Sequence, residues 1–149
     1  MRAVVQRVKN AGVTIDGENI SEIGKGLLIL IGITQGDTQA DIDYIVSKCA
    51  NLRIFDDEDG VMNLSGSDIG AEILVVSQFT LYGDARKGRR PSYINALAPS
   101  DAEPVYEKTV EAFRETGLKV KTGRFGAEMD VRLVNDGPVT ILLDSRKGF

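Results

Sequence analysis

The sequence predicts an α+β protein, and three observations carry that prediction. Two stretches behind N-capping signals place apolar residues at helical spacing. About seven or eight runs read as strands. The strands are mostly linked as hairpins, and the helices are expected to gather on one side of them.

Taken in order, Arg2–Val8 and Gly12–Asp16 read as strands joined by Lys9-Asn10-Ala11, with a turn at Gly17. Leu27–Ile33 reads as a buried strand. Thr38-Gln39-Ala40-Asp41 is a capping box, an N-cap hydroxyl followed three residues later by an acid. Ile42, Ile45, Val46, Cys49 and Leu52 then fall on one helical face, which makes Cys49 a core residue rather than a nucleophile. Arg53–Phe55 is a short strand candidate, and Asp56-Asp57-Glu58-Asp59-Gly60 reads as a solvated turn, since its spacing is not that of a calcium loop.

Ala71–Val76 is an apolar strand running into Ser77-Gln78-Phe79-Thr80-Leu81, and Tyr82-Gly83-Asp84 breaks the pattern. Ser100-Asp101-Ala102-Glu103 is read as a second capping box, with Pro104 early in the helix and Gly117 ending it. Leu118–Thr122, Met129–Val134 and Pro138–Leu143 complete the strands. Asn135-Asp136-Gly137 between the last two is turn chemistry, so an ordinary tight hairpin is the first reading. Pro138 fits it poorly. It has no N–H for a ladder, and X-Pro bonds adopt cis at low cost. A cis Gly137-Pro138 would present two roughly parallel carbonyl oxygens to a ligand.

A length of 149 residues predicts one domain, 1–149, with 42% apolar and 27% charged residues, ordinary for a globular chain. A single cysteine permits no internal disulfide and suits a reducing compartment. The N-terminus lacks a signal-peptide apolar region, and no run nears the roughly 20 apolar residues that span a bilayer. The expectation is a cytoplasmic protein without a membrane partner. The net charge of −4 argues against broad nucleic-acid affinity, and DNA is not an expected partner. A local basic run, Arg86-Lys87-Gly88-Arg89-Arg90, reads either as a solvated loop or as a phosphate-binding patch.

The chain has no histidine, which removes Ser-His-Asp and Cys-His chemistry. One cysteine without histidine does not build a closed zinc site, and no phosphate-cradle motif is present, so neither metal nor cofactor is expected. An enzyme built this way works with backbone dipoles, hydroxyls, carboxylates or groups on its own substrate.

Ser77-Gln78-Phe79-Thr80-Leu81 and Asn135-Asp136-Gly137-Pro138-Val139-Thr140 resemble the two signature motifs of the D-aminoacyl-tRNA deacylase family. Met1–Val8 is similar to that family's start, Lys87–Tyr93 to its central basic segment, and Thr122–Met129 to the approach to its second motif. Arg89 and Tyr93 depart from the smaller polar residue and the Phe expected there, outside both signatures. The resemblance implies strongly curved, barrel-like antiparallel or mixed sheets with two helices packed on one side, and a homodimer. It implies a cis Gly137-Pro138 that enters the partner's pocket beside Ser77, Gln78 and Thr80. It also implies hydrolysis of the ester at the acceptor end of D-aminoacyl-tRNA, and of glycyl-tRNA(Ala).

An aminoacyl ester is already activated, so placing a water and stabilising the oxyanion is enough, the latter worth about 3–4 kcal/mol from backbone N–H groups. Gln78 to Leu81 is the expected source of donors. Thr80 is either a nucleophile or a positioning group, and positioning is favoured because no base stands ready for its proton. Phe79 and Asn135 are candidate substrate contacts, and Lys87, Arg89 and Arg90 candidate tRNA contacts. Arg7 reads either, as the resemblance suggests, as a brace hydrogen-bonded to the carbonyls of the Gly137-Pro138 loop or as an exposed strand-end cation. The competing readings are a non-catalytic nucleic-acid-binding module and an esterase for a small metabolite.

Overall fold

A computed structural model describes all 149 residues. The strands are β1 (Arg2–Ile15), β2 (Glu18–Ile23), β3 (Gly26–Gly32), β4 (Phe55–Asp56), β5 (Met62–Leu64), β6 (Glu72–Ser77), β7 (Val120–Thr122) and β8 (Asp130–Asp144). The helices are α1 (Gln39–Asn51), α2 (Gly66–Ile69) and α3 (Pro99–Glu115), with one 3-10 turn at Phe79–Tyr82. No helix is long and apolar enough to cross a membrane.

The first half of β1 pairs with β3 and its second half with β2, while β8 follows the opposite edge of β1 from end to end. β3–β6 and β6–β7 are parallel. Parallel neighbours need long crossovers, and α1 and α3 lie in those two connections. Ser21 Oγ on β2 donates to the Thr122 carbonyl on β7. The mixed sheet therefore curls into a nearly closed barrel.

Alternation along the strands feeds two cores. Leu27, Ile29 and Ile31 of β3 and Ile73 and Val75 of β6 join Ile42, Ile45 and Cys49 of α1 and Tyr106, Val110 and Phe113 of α3. Leu28, Leu74 and Val76 point the other way, into the barrel, with Val8, Ala11, Val13 and Ile15 of β1. Both main helices thus cover one face, as expected. Cys49 is fully buried, and burial pushes its thiol well above the ordinary range.

Several local readings change. Lys9–Ala11 does not end a strand: β1 runs straight through it. The Asp16-Gly17 turn, with φ of 49° and 78°, returns directly into β2, a strand with no apolar alternation to announce it. α3 starts at Pro99 with Ala98 as N-cap, so the Ser100–Glu103 box does not form. Proline's fixed φ suits the first helical position and moves the start forward. The Thr38 box does form: Thr38 N–H donates to the Asp41 carboxylate at 2.8 Å. The small β4–β5 sheet and α2 were not anticipated beyond the Arg53–Phe55 fragment.

The largest change concerns Asn135–Pro138, which is no hairpin. Met129–Val134 and Pro138–Leu143 belong to the single strand β8 and its approach. Gln6 faces Thr140 and Val8 faces Asn135, so the four residues Asp136–Val139 stand opposite Arg7 alone. They form a wide bulge, held between ladder pairs that resume on both sides. Asn135 Oδ1 accepts the Val139 N–H at 2.8 Å across the neck of the bulge. Arg7, 8% exposed, donates through Nε to the Asp136 carbonyl (3.0 Å) and through Nη1 to the Ile54 carbonyl (2.6 Å). It is a buried brace, not an exposed strand-end cation.

Two substitutions probe these contacts. A Cβ on Gly26 would lie 1.9 Å from the Glu72 carbonyl oxygen across the parallel β3–β6 pair. Gly26→Ala is expected to cost about 3 kcal/mol, a fall in Tm of roughly 6–12 °C by thermal denaturation. Arg7→Ala leaves two inward carbonyls without a donor and should destabilise by about 2–4 kcal/mol in urea unfolding. Arg7→Lys should not restore stability, because one ammonium cannot span both carbonyls as a fork does.

Candidate active site

β6 ends at Ser77, paired beside Ile31 of β3. The Gln78 N–H donates to the Ile31 carbonyl at 2.7 Å, which fixes where the chain leaves the sheet. Phe79–Tyr82 then make a single 3-10 turn seated on Gly32. A Cβ on Gly32 would stand 2.9 Å from Leu81 Cβ and 3.3 Å from the Gln78 carbonyl oxygen, so the bare backbone there lets the turn settle. The Leu81 N–H closes the turn on the Gln78 carbonyl (3.2 Å). The N–H groups of Phe79 and Thr80 stand at the turn's start, where the first N–H groups of a helix have no intrahelical acceptor. Gln78 Nε2 donates to Thr80 Oγ1.

Beside this turn opens a cavity of about 650 Å³, within the range of small-molecule sites. Ser77, Gln78 and Phe79 line one side. Ile31, Val76, Leu97, Met129 and Val131 give an apolar floor, and Tyr93 and Phe125 add aromatic faces. The Phe79 and Tyr93 rings meet edge to face, with centroids 5.3 Å apart. No Asp, Glu, Lys or Arg lines the cavity. Electrostatic work there falls to N–H dipoles, hydroxyls and the Gln78 amide.

The residues singled out from the sequence fall in three places. Ser77, Gln78 and Phe79 line the cavity, while Thr80 is exposed outside its lining and held by Gln78. Arg7, Asn135, Gly137 and Pro138 form the second group, at the β8 bulge. The Gly137-Pro138 peptide is cis, and Gly137 has φ +130°. Asn135 clamps that bulge through Val139 N–H and Thr140 Oγ1 and does not reach the cavity. Arg7 pairs with Leu27 at one end of β3, whereas the Ser77–Thr80 turn adjoins Ile31 and Gly32 at the other. Four or five strand residues separate them, roughly 15 Å. One chain therefore does not bring the two motifs together.

The third group is the basic loop, whose base is closed by paired backbone bonds between Asp84 and Ser92 (2.8 and 2.9 Å). Arg86 folds back onto Asp84, and its hydrogen bonds hold that carboxyl down at about 2. Lys87, Arg89 and Arg90 are exposed. Phe125, Leu97 and Met129 went unrecognised as cavity residues. The one available signal was Phe125, an aromatic side chain between Gly123 and Gly126, which packs on the Tyr106 ring with centroids 5.6 Å apart. Tyr106 lies behind the cavity. Its hydroxyl donates to the Val75 carbonyl at 2.9 Å, and burial pushes it up to about 12, so its part is structural.

The chain is similar to known proteins. The D-aminoacyl-tRNA deacylase of Thermosipho africanus is 58% identical over 149 residues, the whole of both chains. That of Myxococcus xanthus is 59% identical over 97% of this chain and 95% of its own. Among solved structures, a protein named c-Myc DNA Unwinding Element Binding Protein superposes with a TM-score of 0.92 at 47% identity, covering 97% of this chain and 98% of that one. A probable eukaryotic D-amino acid tRNA deacylase shares the fold, with a TM-score of 0.82 at 17% identity over 95% of this chain and 97% of its own. The sequence pattern of the family described as D-Tyr-tRNA(Tyr) deacylase runs through residues 4–144, from β1 to the end of β8. With the near-complete span of that match and relatives above half identity, the chain belongs to the D-Tyr-tRNA(Tyr) deacylase family.

Proposed function

We propose that the protein hydrolyses the ester of D-aminoacyl-tRNA, releasing a free amino acid and a tRNA with its terminal hydroxyl restored. The observation that carries this reading is the 3-10 turn Phe79–Tyr82, whose first N–H groups, those of Phe79 and Thr80, stand beside an aromatic-lined cavity in a member of this family. The aromatic faces of Tyr93 and Phe125 suit a terminal adenine, since base stacking on aromatic rings is worth about 1–3 kcal/mol. The two N–H groups suit the oxyanion of an ester under attack by water. Gln78 orients Thr80, and Thr80 positions the ester or the water. With no carboxylate, lysine or arginine lining the cavity, the proton of the water passes to a group of the substrate, its amine or neighbouring ribose hydroxyl. Lys87, Arg89 and Arg90 are assigned to phosphates of the acceptor stem.

The site is read as complete only in a homodimer. The β8 bulge and the Ser77–Thr80 turn stand too far apart in one chain to share a ligand, and two copies related by a two-fold would let each bulge enter the other's cleft. The outer edge of β8 has no strand partner, and Val134 and Leu142 on it are 46% and 56% exposed. Such an edge needs cover. A backbone wall of Gly137 and Pro138 beside the α-carbon would refuse an L side chain. A glycyl ester has no side chain to refuse, so glycyl-tRNA(Ala) is read as a second substrate.

Ester loss from D-aminoacyl-, L-aminoacyl- and glycyl-tRNA is the deciding measurement. D and glycyl esters should be cleared and L esters retained, with a preference on the order of 100-fold or more. Persistence of all three would leave nucleic-acid binding without catalysis, the reading favoured by the name of the 47% identical structure. Equal loss of D and L esters would point to a general esterase. In the same assay, Gly137→Ala places a Cβ at a positive φ, 2.9 Å from Val139 Cγ2 and 3.1 Å from Arg7 Nη2. It should lower D-ester turnover about tenfold and narrow the D-over-L preference.

A further inference from the structure

A second cleft, of about 510 Å³, opens at the other end of the 3-10 turn, where Tyr82 and Gly83 form its wall. We propose that this cleft is a phosphate site for the 3′-terminal nucleotides of tRNA, built from Arg2, Arg86, Arg146 and the hydroxyl of Tyr82. The inference rests on the deacylase reading and extends it from the ester to the strand that carries it.

Three guanidinium groups converge there from the start of β1, the basic loop and the segment after β8. Two carboxylates, Asp84 and Asp144, share the lining. Asp37 behind them pairs with both Arg146 (3.3 Å) and the Met1 ammonium (2.8 Å), so the whole cluster sets four cations against three anions and keeps one net positive charge, the complement of one phosphodiester. Each guanidinium is held in place yet keeps donors free. Arg2 lies over the Tyr82 ring at 4.6 Å and donates through Nη1 to the Leu81 carbonyl at 3.1 Å. Arg86 uses Nε and Nη2 on Asp84, and Arg146 uses Nη2 on the Gln35 carbonyl and on Asp37. A guanidinium has five N–H donors, so each retains some for a ligand.

Arg2 Nε faces the Asp144 carboxylate at 3.5 Å, while the Tyr82 hydroxyl, on a residue 7% exposed, is buried and has no hydrogen-bond partner. Folded proteins seldom leave such groups unmet. Burial, with the fields of Asp37 and Asp144, keeps the Tyr82 hydroxyl protonated and therefore a donor. A buried hydroxyl without an acceptor, beside a small excess of positive charge, calls for an anionic oxygen.

The position fits the strand. Phe79 lines the first cavity and Tyr82 the second, three residues further along a 3-10 turn, roughly 6 Å along its axis. Nucleotides advance about 3.4 Å each along a stacked strand. An ester lodged at Thr80 thus brings the phosphates of the last two or three nucleotides past the second cleft. Lys87, Arg89 and Arg90 are exposed on the same loop as Arg86.

The test compares two substrates, D-aminoacyl-tRNA and a D-aminoacyl adenosine that carries no phosphate. Arg86→Gln and Arg146→Gln should each raise KM for the tRNA about tenfold, the effect of losing one hydrogen-bonded charge. Each should also reduce the slope of log KM against log salt by about one. The KM for the adenosine ester should not move. Tyr82→Phe should shift KM for the tRNA alone, by about threefold, with Tm recorded for all three variants. Equal shifts on both substrates, or none on the tRNA, would overturn the proposal. Failure of the unmodified protein to cleave either substrate would instead overturn the deacylase reading. In that event, titration with the trinucleotide pCpCpA reports on the phosphate site directly. Binding weakened about tenfold by Arg86→Gln upholds it, and unchanged binding ends it.

Discussion

Two long antiparallel strands that cannot keep one register govern this molecule. β1 and β8 pair at both ends, but the partner offset at Arg2–Gln6 differs from that at Asn10–Thr14. The mismatch is absorbed opposite Arg7, where β8 carries the surplus residues Asp136–Val139, and next to Lys9, where β1 carries one more. At the same place the side chains of β1 change allegiance. Ala3 and Val5 face the helices, whereas Val8, Ala11 and Val13 face the barrel interior. A bulge bends and twists its strand, so this irregularity is what turns a flat pairing into a curved wall. It also lifts Gly137 and Pro138 clear of the ladder.

The candidate site follows a different economy. It has geometry but almost no titratable chemistry: a strand end, a 3-10 turn seated on a glycine, and an apolar cavity behind it. Such a place cannot generate a strong nucleophile. It can hold an activated ester still and lower the energy of the charge that develops on it. That restriction fits a substrate whose ester is labile in water, and it fits the absence of histidine from the chain.

What the sequence disclosed depended on how local the determining physics was. The Thr38 cap, the helical face ending at Cys49 and the buried runs of β3 and β6 are set by residues within a few positions of one another, and they were legible. Asn135-Asp136-Gly137 was misread because turn chemistry is a local preference, while the pairing of β8 with β1 is enforced over its whole length by a partner more than a hundred residues away. β2 was missed for the opposite reason: Asp16-Gly17 announces a hairpin, but Glu18–Ile23 has only Ile23 fully buried. The cavity was half legible. Ser77–Thr80 stood out as a motif, but Leu97, Phe125 and Met129 arrive from other segments and look like ordinary apolar residues until the fold assembles them.

The position of Arg7 has a mechanical corollary. One guanidinium ties the carbonyl of Ile54, at the root of the β4–β5 ribbon, to that of Asp136, at the root of the bulge. The ribbon's tip, with Val61 57% and Met62 53% exposed, is its far end. Ribbon and bulge thus share a single guanidinium as their common anchor, so its loss would unfasten both roots at once.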